Sequence, residues 1–390
     1  MKKILLIINS LLILFVLIII GIIFKTWLFS FSISAGDFEY YSLQRIIDIM
    51  PLGIWDPART GLGASILPYL WLESYTSTSI KLSLLLGWGA YIKLFWYIPF
   101  LVFSFISSLI LLRSLFKNNF LFSLASLIYS ANTYSLMMAS GGQMGIALSY
   151  SLAPFVYYFY IKLLNKLSLK NSAIFGLVFA FVSLLDIRIG YMLSFAIITY
   201  SLIVVRELLK NIRSTLFLVI IIPLLIVSGI HFFWLLPAVF SAKEAIAQLG
   251  DIYTSQEAVK YFSFATMENS FGLLHPNWPE NIFGKVGFMK PEYLLLPIIA
   301  FSSILFIAKE EVRIKKYLIF FISLGLLGIF LAKGSNEPFG NLYIWLFDNI
   351  PGFVMFRDPT KWYSLIAVSY SILVPYSIFK IFIYLKNKFN

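Results

Sequence analysis

"MKKILLIINSLLILFVLIIIGIIF", residues 1–24, decides the solvent in which the chain folds. Two lysines precede a run of about 20 apolar residues, as many as an α-helix needs to cross a hydrocarbon core roughly 30 Å thick. A secretory signal has an apolar segment of about 7–15 residues followed by a small-x-small cleavage site. This run is longer and no such site follows it, so it reads as a membrane anchor.

Outward from residue 24 the pattern repeats. Of the 390 residues, 60% are hydrophobic, 18% aromatic and only 12% charged, where a soluble domain carries about 25% charged residues. The expectation is an all-α polytopic membrane protein of about ten transmembrane helices. They fall near 4–24, 94–113, 119–138, 143–163, 171–187, 189–206, 214–240, 291–308, 316–333 and 363–383, in a single domain over 1–390. The absence of cysteine excludes disulfides, thiol catalysis and Cys-ligated metal.

Charge sets the orientation. With Lys2 and Lys3 inside, the inner loops hold Arg113 and Lys117; Lys162, Lys166 and Lys170; Arg206, Lys210 and Arg213; Lys309, Arg313, Lys315 and Lys316; and Lys380, Lys386 and Lys388. The acids among them are Glu207, Glu310 and Glu311. A basic excess in every inner loop is what the positive-inside rule asks for, so both termini are placed in the cytoplasm. The net charge of +12 is then a topology signal and no footprint of nucleic acid. All long loops fall outside, near 25–92, 241–290 and 334–362. Mass concentrated on one face suits an enzyme working at the outer surface of the plasma membrane. Matching interrupted helices in the two halves, the mark of an inverted-repeat transporter, are not seen.

The first outer loop carries the densest chemistry. "SAGDFEYYSLQRIIDIM", 34–50, holds Asp37 and Glu39 just past the first span, then Tyr41, Ile46, Ile47 and Met50 at helical spacing, and Pro51 closes it. This reads as a helix lying in the membrane interface, with Asp37 also placed to cap it. A second interfacial helix is expected in "TSTSIKLSLLLGWGAYIKLFW", 76–96. Between them, in "WDPARTGLG", Asp56-Pro57 starts a turn and Arg59 is within reach of Asp56. A structural turn with Trp55 as interfacial anchor stands beside a direct role for Arg59.

Charges also mark later junctions. In "SLLDIRIGYML", 183–193, Asp186 and Arg188 stand between two otherwise uncharged spans. Ionisable groups at membrane depth are costly and are functional unless they satisfy each other, and both readings stay open here. "FRDPTKW", 356–362, puts Asp358 as a cap before Pro359, leaving Arg357 to face an anion. His231, in the outer half of the seventh span, reads as a packing residue or a ligand group. His275, in "LLHPNWPENIFG", 273–284, stands with Asn277, Trp278 and Glu280, a mix able to hold a sugar. Two histidines so far apart make no zinc motif, and no P-loop, dinucleotide turn or nucleophile elbow occurs.

Together these residues resemble the GT-C glycosyltransferases, multispanning enzymes that take sugar from a polyprenyl-phosphate carrier on the extracytoplasmic face. More narrowly, "IWDPARTGLGASILPY", 54–69, resembles the W-D-P-x(n)-G-x(n)-P stretch of the α-(1→3)-arabinofuranosyltransferase family. "HFFWLLPAVF", 231–240, is similar to a Phe-Trp-Leu-Leu-Pro helix end, and "MFRDPTKWYSL", 355–365, to a Phe-Arg-x-Pro turn before a late span in related membrane proteins. The resemblance implies a GT-C-like fold and an acidic base or metal-binding group in the first outer loop, for which Asp37 stands ready with Glu39 beside it. It allows one cofactor, a divalent cation (Mg2+ or Mn2+) at Asp37 and Glu39. The implied partners are a polyprenyl-phosphate-linked sugar donor, membrane lipids, and an acceptor that is a glycan, lipid or protein.

The chemistry agrees on its own terms. An inverting transfer needs one carboxylate to take the acceptor proton, and the departing lipid phosphate needs a cation or helix start. Asp37 is the choice for the base, with Glu39 or Asp56 as helper. Arg59, Arg188 or Arg357 would face the phosphate, and Asp186, His231, His275 and Asp358 complete the substrate-binding candidates. A lipid or polysaccharide flippase or carrier, and a non-catalytic membrane scaffold, are the competing expectations.

Overall fold

The computed structural model describes residues 2–30, 55–56, 64–65, 75–76, 79–116, 122–249, 254–276 and 290–389. Its framework is helical: α1 Lys2–Ile23, α2 Ile98–Leu115, α3 Phe122–Ser130, α4 Thr133–Ser140, α5 Met144–Asn165, α6 Leu169–Leu185 and α7 Ile187–Ile203. There follow α8 Ile222–Leu249, α9 Gln256–Phe262, α10 Met267–Phe271, α11 Leu295–Phe301, α12 Val312–Ala332, α13 Gly340–Asn349 and α14 Tyr363–Phe389. Paired strands among the described residues amount to one two-residue ladder, Trp55 opposite Ser65 and Asp56 opposite Ala64.

Among the described residues, six helices are long and apolar enough to cross a membrane: Trp88–Leu115, Met144–Asn165, Ile212–Leu236, Pro291–Lys309, Val312–Ala332 and Pro359–Lys388. Ser10–Ile23, Leu169–Leu185 and Ile187–Ile203 are shorter apolar helices. The chain is a polytopic α-helical membrane protein.

Two sequence expectations are corrected. The span expected over 119–138 is two helices, because Asn132 interrupts it. Its side-chain oxygen caps α4 by accepting from the Ser135 amide (3.0 Å), and its Nδ2 donates to the Tyr129 carbonyl (2.9 Å) and the Tyr150 hydroxyl (2.9 Å). An Asn that offers its own hydrogen bonds to the backbone ends one helix and starts the next. The interfacial helix expected over 76–96 is also divided. Gly87 takes φ +79 and separates Ser83–Leu86 from Trp88–Ile92, and the latter runs on through a π turn, Lys93–Tyr97, into α2.

α5 and α14 form the centre. α5 packs on α2 and α6, and α14 on α12, α3 and α11. Lipid is as apolar as leucine, so packing in a membrane relies on close approach at small residues and on hydroxyl hydrogen bonds. Both occur here. A Cβ on Gly325 or Gly328 of α12 would stand 2.5 Å from Ser369 Oγ or 2.9 Å from Ile366 Cγ1 of α14. Ser107 Oγ donates to the Ser151 carbonyl (2.7 Å), joining α2 to α5; Ser149 Oγ to Val182 (2.8 Å), joining α5 to α6; and Ser369 Oγ to Phe321 (2.7 Å), joining α14 to α12. α8, by contrast, packs mainly along α6 and leaves Leu224, Leu225, Phe232 and Phe233 exposed as a lipid-facing stripe.

The bundle has two chemically distinct ends. At one, the loops rich in lysine and arginine meet: Lys316 at the start of α12 pairs with Glu207, and Lys380 of α14 pairs with Glu310. The other end holds the α6–α7 junction, the start of α5, the segments 254–276 and 333–362, and the head of α14.

Candidate functional site

Four of the residues singled out in the sequence converge at that second end. α6 and α7 meet with a single residue between them, Asp186, which closes one helix and caps the next. Its Oδ1 accepts from the amides of Arg188 (2.9 Å) and Ile189 (3.4 Å). The Arg188 side chain returns to the same carboxylate, Nε to Oδ1 at 3.1 Å and Nη2 to Oδ2 at 2.6 Å. An Asp in extended conformation before a helix is a strong N-cap, and a two-pronged guanidinium bond neutralises its buried charge. The Asp186 side chain is 4% exposed, while Arg188 keeps 31% of its own surface open.

A second ion pair lies opposite. In the turn 356–362, Asp358 Oδ1 accepts from the Thr360 amide (3.1 Å) and hydroxyl. Lys361 Nζ donates to Asp358 Oδ2 (2.6 Å) and to Gln143 Oε1 (2.9 Å). Pro359 at the first position of the turn cannot donate a hydrogen bond, so the sequence Asp-Pro-Thr-Lys builds a capped helical start with its lysine folded back. Burial works against the Asp358 charge, but the Lys361 ammonium, hydrogen bonds from Lys361 and Thr360, and the nearby His275 outweigh it. Its carboxyl therefore titrates below the usual carboxylate range.

His275 closes the cluster from the loop after α10. Its amide donates to Thr133 Oγ1 (2.7 Å), which in turn donates to the Leu273 carbonyl (2.6 Å), fixing the loop to the start of α4. Its Nδ1 lies 2.6 Å from the Pro276 carbonyl and donates to it, so Nε2 carries the lone pair. The ring lies tilted against both Tyr134 (centroids 5.7 Å apart) and Tyr363 (5.2 Å), which stack on each other at 6.5 Å. Burial lowers the imidazole pKa to about 4; Asp358 opposes that shift and Lys361 adds to it.

This arrangement makes stability depend on pH. An unfolded histidine titrates at about 6.5 and the folded one at about 4. The native state favours neutral His275, so its contribution is full above pH 6.5 and lost as pH falls through the window down to about 4, where the unfolded chain binds the extra proton. We expect wild type to lose on the order of 3 kcal/mol across that window through this residue. His275→Gln should flatten the corresponding part of the pH profile of detergent-solubilised protein; an unchanged profile would exclude His275 as its source.

The remaining candidates lie elsewhere. His231 belongs to α8 and is spent on packing: Nε2 lies 3.0 Å from the Ala180 carbonyl of α6, and Nδ1 accepts from the Trp234 indole at 2.7 Å. Both ring nitrogens are satisfied by these two contacts. The Arg357 guanidinium lies 4.8 Å from the centre of the Phe262 ring in α9. Asp56 lies in the short ladder. Asp37, Glu39 and Arg59 lie outside the described residues, as do Asn277, Trp278 and Glu280. Among the described residues no group of three or more His, Asp or Glu side chains is placed to hold a metal ion.

Lys361 and Gln143 are the members that sequence reading missed. Lys361 is only 3% exposed, at the head of a long apolar helix; a lysine three residues after an aspartate, in a chain where charge is rare, was the available signal. Gln143 sits in "SGGQMG", a link too short to interpret before its neighbours are known. The cluster thus offers two compensated ion pairs, one partly open guanidinium and one neutral imidazole. Compared with known proteins, the chain matches no family model, no curated sequence and no solved structure.

Proposed function

We propose that the chain is a glycosyltransferase of GT-C type, moving a sugar from a polyprenyl-phosphate carrier to a glycan, lipid or protein acceptor at the extracytoplasmic face of the plasma membrane. The observation that carries this reading is the convergence of Asp186, Arg188, His275 and Asp358 at the bundle end remote from the basic loops. Such an end, with charged side chains of both signs 3–31% exposed, can bind a phosphate and a sugar together.

In the reaction, the acceptor O–H bond breaks and its proton passes to Asp37. The acceptor oxygen bonds to the anomeric carbon, and the bond from that carbon to the phosphate oxygen breaks with its electron pair leaving on the phosphate. Arg188 is the described cation best able to meet that charge, since it is the more exposed of the two and its carboxylate partner already has two backbone donors. Asp37 and Glu39 are also the proposed seat of any divalent cation.

The test is transfer of labelled sugar from a panel of decaprenyl- and dolichyl-phosphate sugars by purified protein in nanodiscs. We expect turnover with at least one donor, a fall of at least about 10²-fold in Asp37→Asn, as for loss of a general base, and retained lipid binding. Turnover unchanged in Asp37→Asn would remove Asp37 from the mechanism, and no turnover with any donor would overturn the enzyme reading.

A further inference from the structure

Two buried polar atoms at the floor of the cluster have no hydrogen-bond partner: Tyr134 Oη and His275 Nε2. Tyr134 is 0% exposed and His275 3%. Leaving a buried polar group unsatisfied costs on the order of 1–3 kcal/mol, so two on adjacent rings, 5.7 Å between centroids, need a physical account. They do not bond to each other, yet they are complementary. A phenol offers a hydrogen, and an imidazole whose Nδ1 is committed to the Pro276 carbonyl offers only a lone pair at Nε2. One group satisfies both: an oxygen that accepts from Tyr134 and donates its own hydrogen to His275. That group is a hydroxyl.

The surroundings say which kind. Both side chains sense Asp358, Tyr134 also senses Asp186 and Arg188, and His275 also senses Lys361. Tyr363, the third ring of the stack, donates its own hydroxyl to the Leu274 carbonyl (3.0 Å) and so does not compete for Nε2. Lys361 is 3% exposed as a side chain, Asp358 13% and Arg188 31%. The orphan atoms thus sit among aromatic rings beside two ion pairs, and aromatics beside hydrogen-bonding groups suit a polyhydroxylated ring.

The geometry points to a hydroxyl-binding subsite formed by Tyr134 Oη and His275 Nε2, which takes one hydroxyl of a sugar. It deepens the glycosyltransferase reading and rests on it for the identity of the ligand, though binding here requires no turnover.

The chain contains only two histidines, His231 and His275, so 15N-histidine labelling yields two imidazole systems, and the one at His231 is satisfied by Ala180 and Trp234. The experiment is solid-state NMR of the full chain in proteoliposomes, titrated with free hexoses and pentoses, in wild type and Tyr134→Phe. Removing an unpartnered hydroxyl leaves packing intact, so the variant is expected to fold.

We expect the His275 Nε2 resonance to move upfield on addition of at least one sugar in wild type, the hallmark of a newly accepted hydrogen bond, with the His231 signals fixed. In Tyr134→Phe the response should weaken at least tenfold in apparent affinity. An Nε2 that is already hydrogen-bonded without sugar, moves in Tyr134→Phe and ignores every sugar would mean an internal water and would overturn the proposal. So would an Nε2 that responds to neither change. Sugar binding by a protein that transfers none would instead count against the enzyme reading alone.

Discussion

Lys361→Met is expected to lower the unfolding free energy by about 3–5 kcal/mol, the cost of stranding the carboxylate partner of a buried ion pair. Lys361 and Asp358 are 3% and 13% exposed as side chains and meet at 2.6 Å. Methionine keeps the length and volume of the side chain, so packing changes little and the loss is electrostatic. It also leaves Gln143 Oε1 without its lysine. The double variant Asp358→Asn/Lys361→Met should recover most of the loss, because no unpaired charge remains and the Thr360 amide still finds an acceptor. Unfolding in mixed detergent micelles measures both. A cost below about 1 kcal/mol for the single variant, the range of exposed pairs, would mean that water reaches the pair and that the cluster is not the low-dielectric site described.

Gly334→Ala should cost about 2–5 kcal/mol by the same measurement. Gly334 follows the last turn of α12 with φ +61, a conformation that costs a residue with a Cβ roughly 1–2 kcal/mol. The added methyl would stand 2.3 Å from both Pro359 Cγ and Ser263 Oγ, and overpacking of this kind costs roughly 1–3 kcal/mol more. Pro359 opens the turn that carries Lys361, and Ser263 accepts from the Ser335 amide (3.0 Å), so the push is delivered to both sides of the cluster's support. Gly229→Ala, where the new Cβ meets nothing within 4 Å, is the control and should be neutral or slightly stabilising. Equal effects at the two positions would mean that the segment around Gly334 yields freely.

The sequence revealed most where one physical rule acts alone. Apolar length placed the helices, since a spanning segment must satisfy its backbone internally, and the Asp-x-Arg at 186–188 and the Asp-Pro at 358–359 stood out because charge is rare in this chain. What stayed hidden depends on partners distant in sequence. Asn132 breaks a helix partly through the Tyr150 hydroxyl, 18 residues away, and His275 is fixed by Thr133 across 142 residues. His231 likewise depends on distant partners: the Ala180 carbonyl, 51 residues away, and the Trp234 indole take up its ring nitrogens. Of the two readings of Asp186, the structure shows the self-satisfied pair: it caps a helix and holds Arg188 through both carboxylate oxygens.

The hairpin around Asp186 has one more consequence, which concerns the bilayer. Its two arms, Leu169–Leu185 and Ile187–Ile203, are 17 residues each, about 25 Å at 1.5 Å per residue, against a hydrocarbon thickness of roughly 30 Å. Arms that short cannot bring a charged vertex to the level of the headgroups on one face while keeping their other ends at the opposite surface. A short hydrophobic hairpin is accommodated by local thinning of the bilayer, by snorkelling of its flanking residues or by association with longer helices. Where the bilayer thins, water and headgroups would come closer to Arg188.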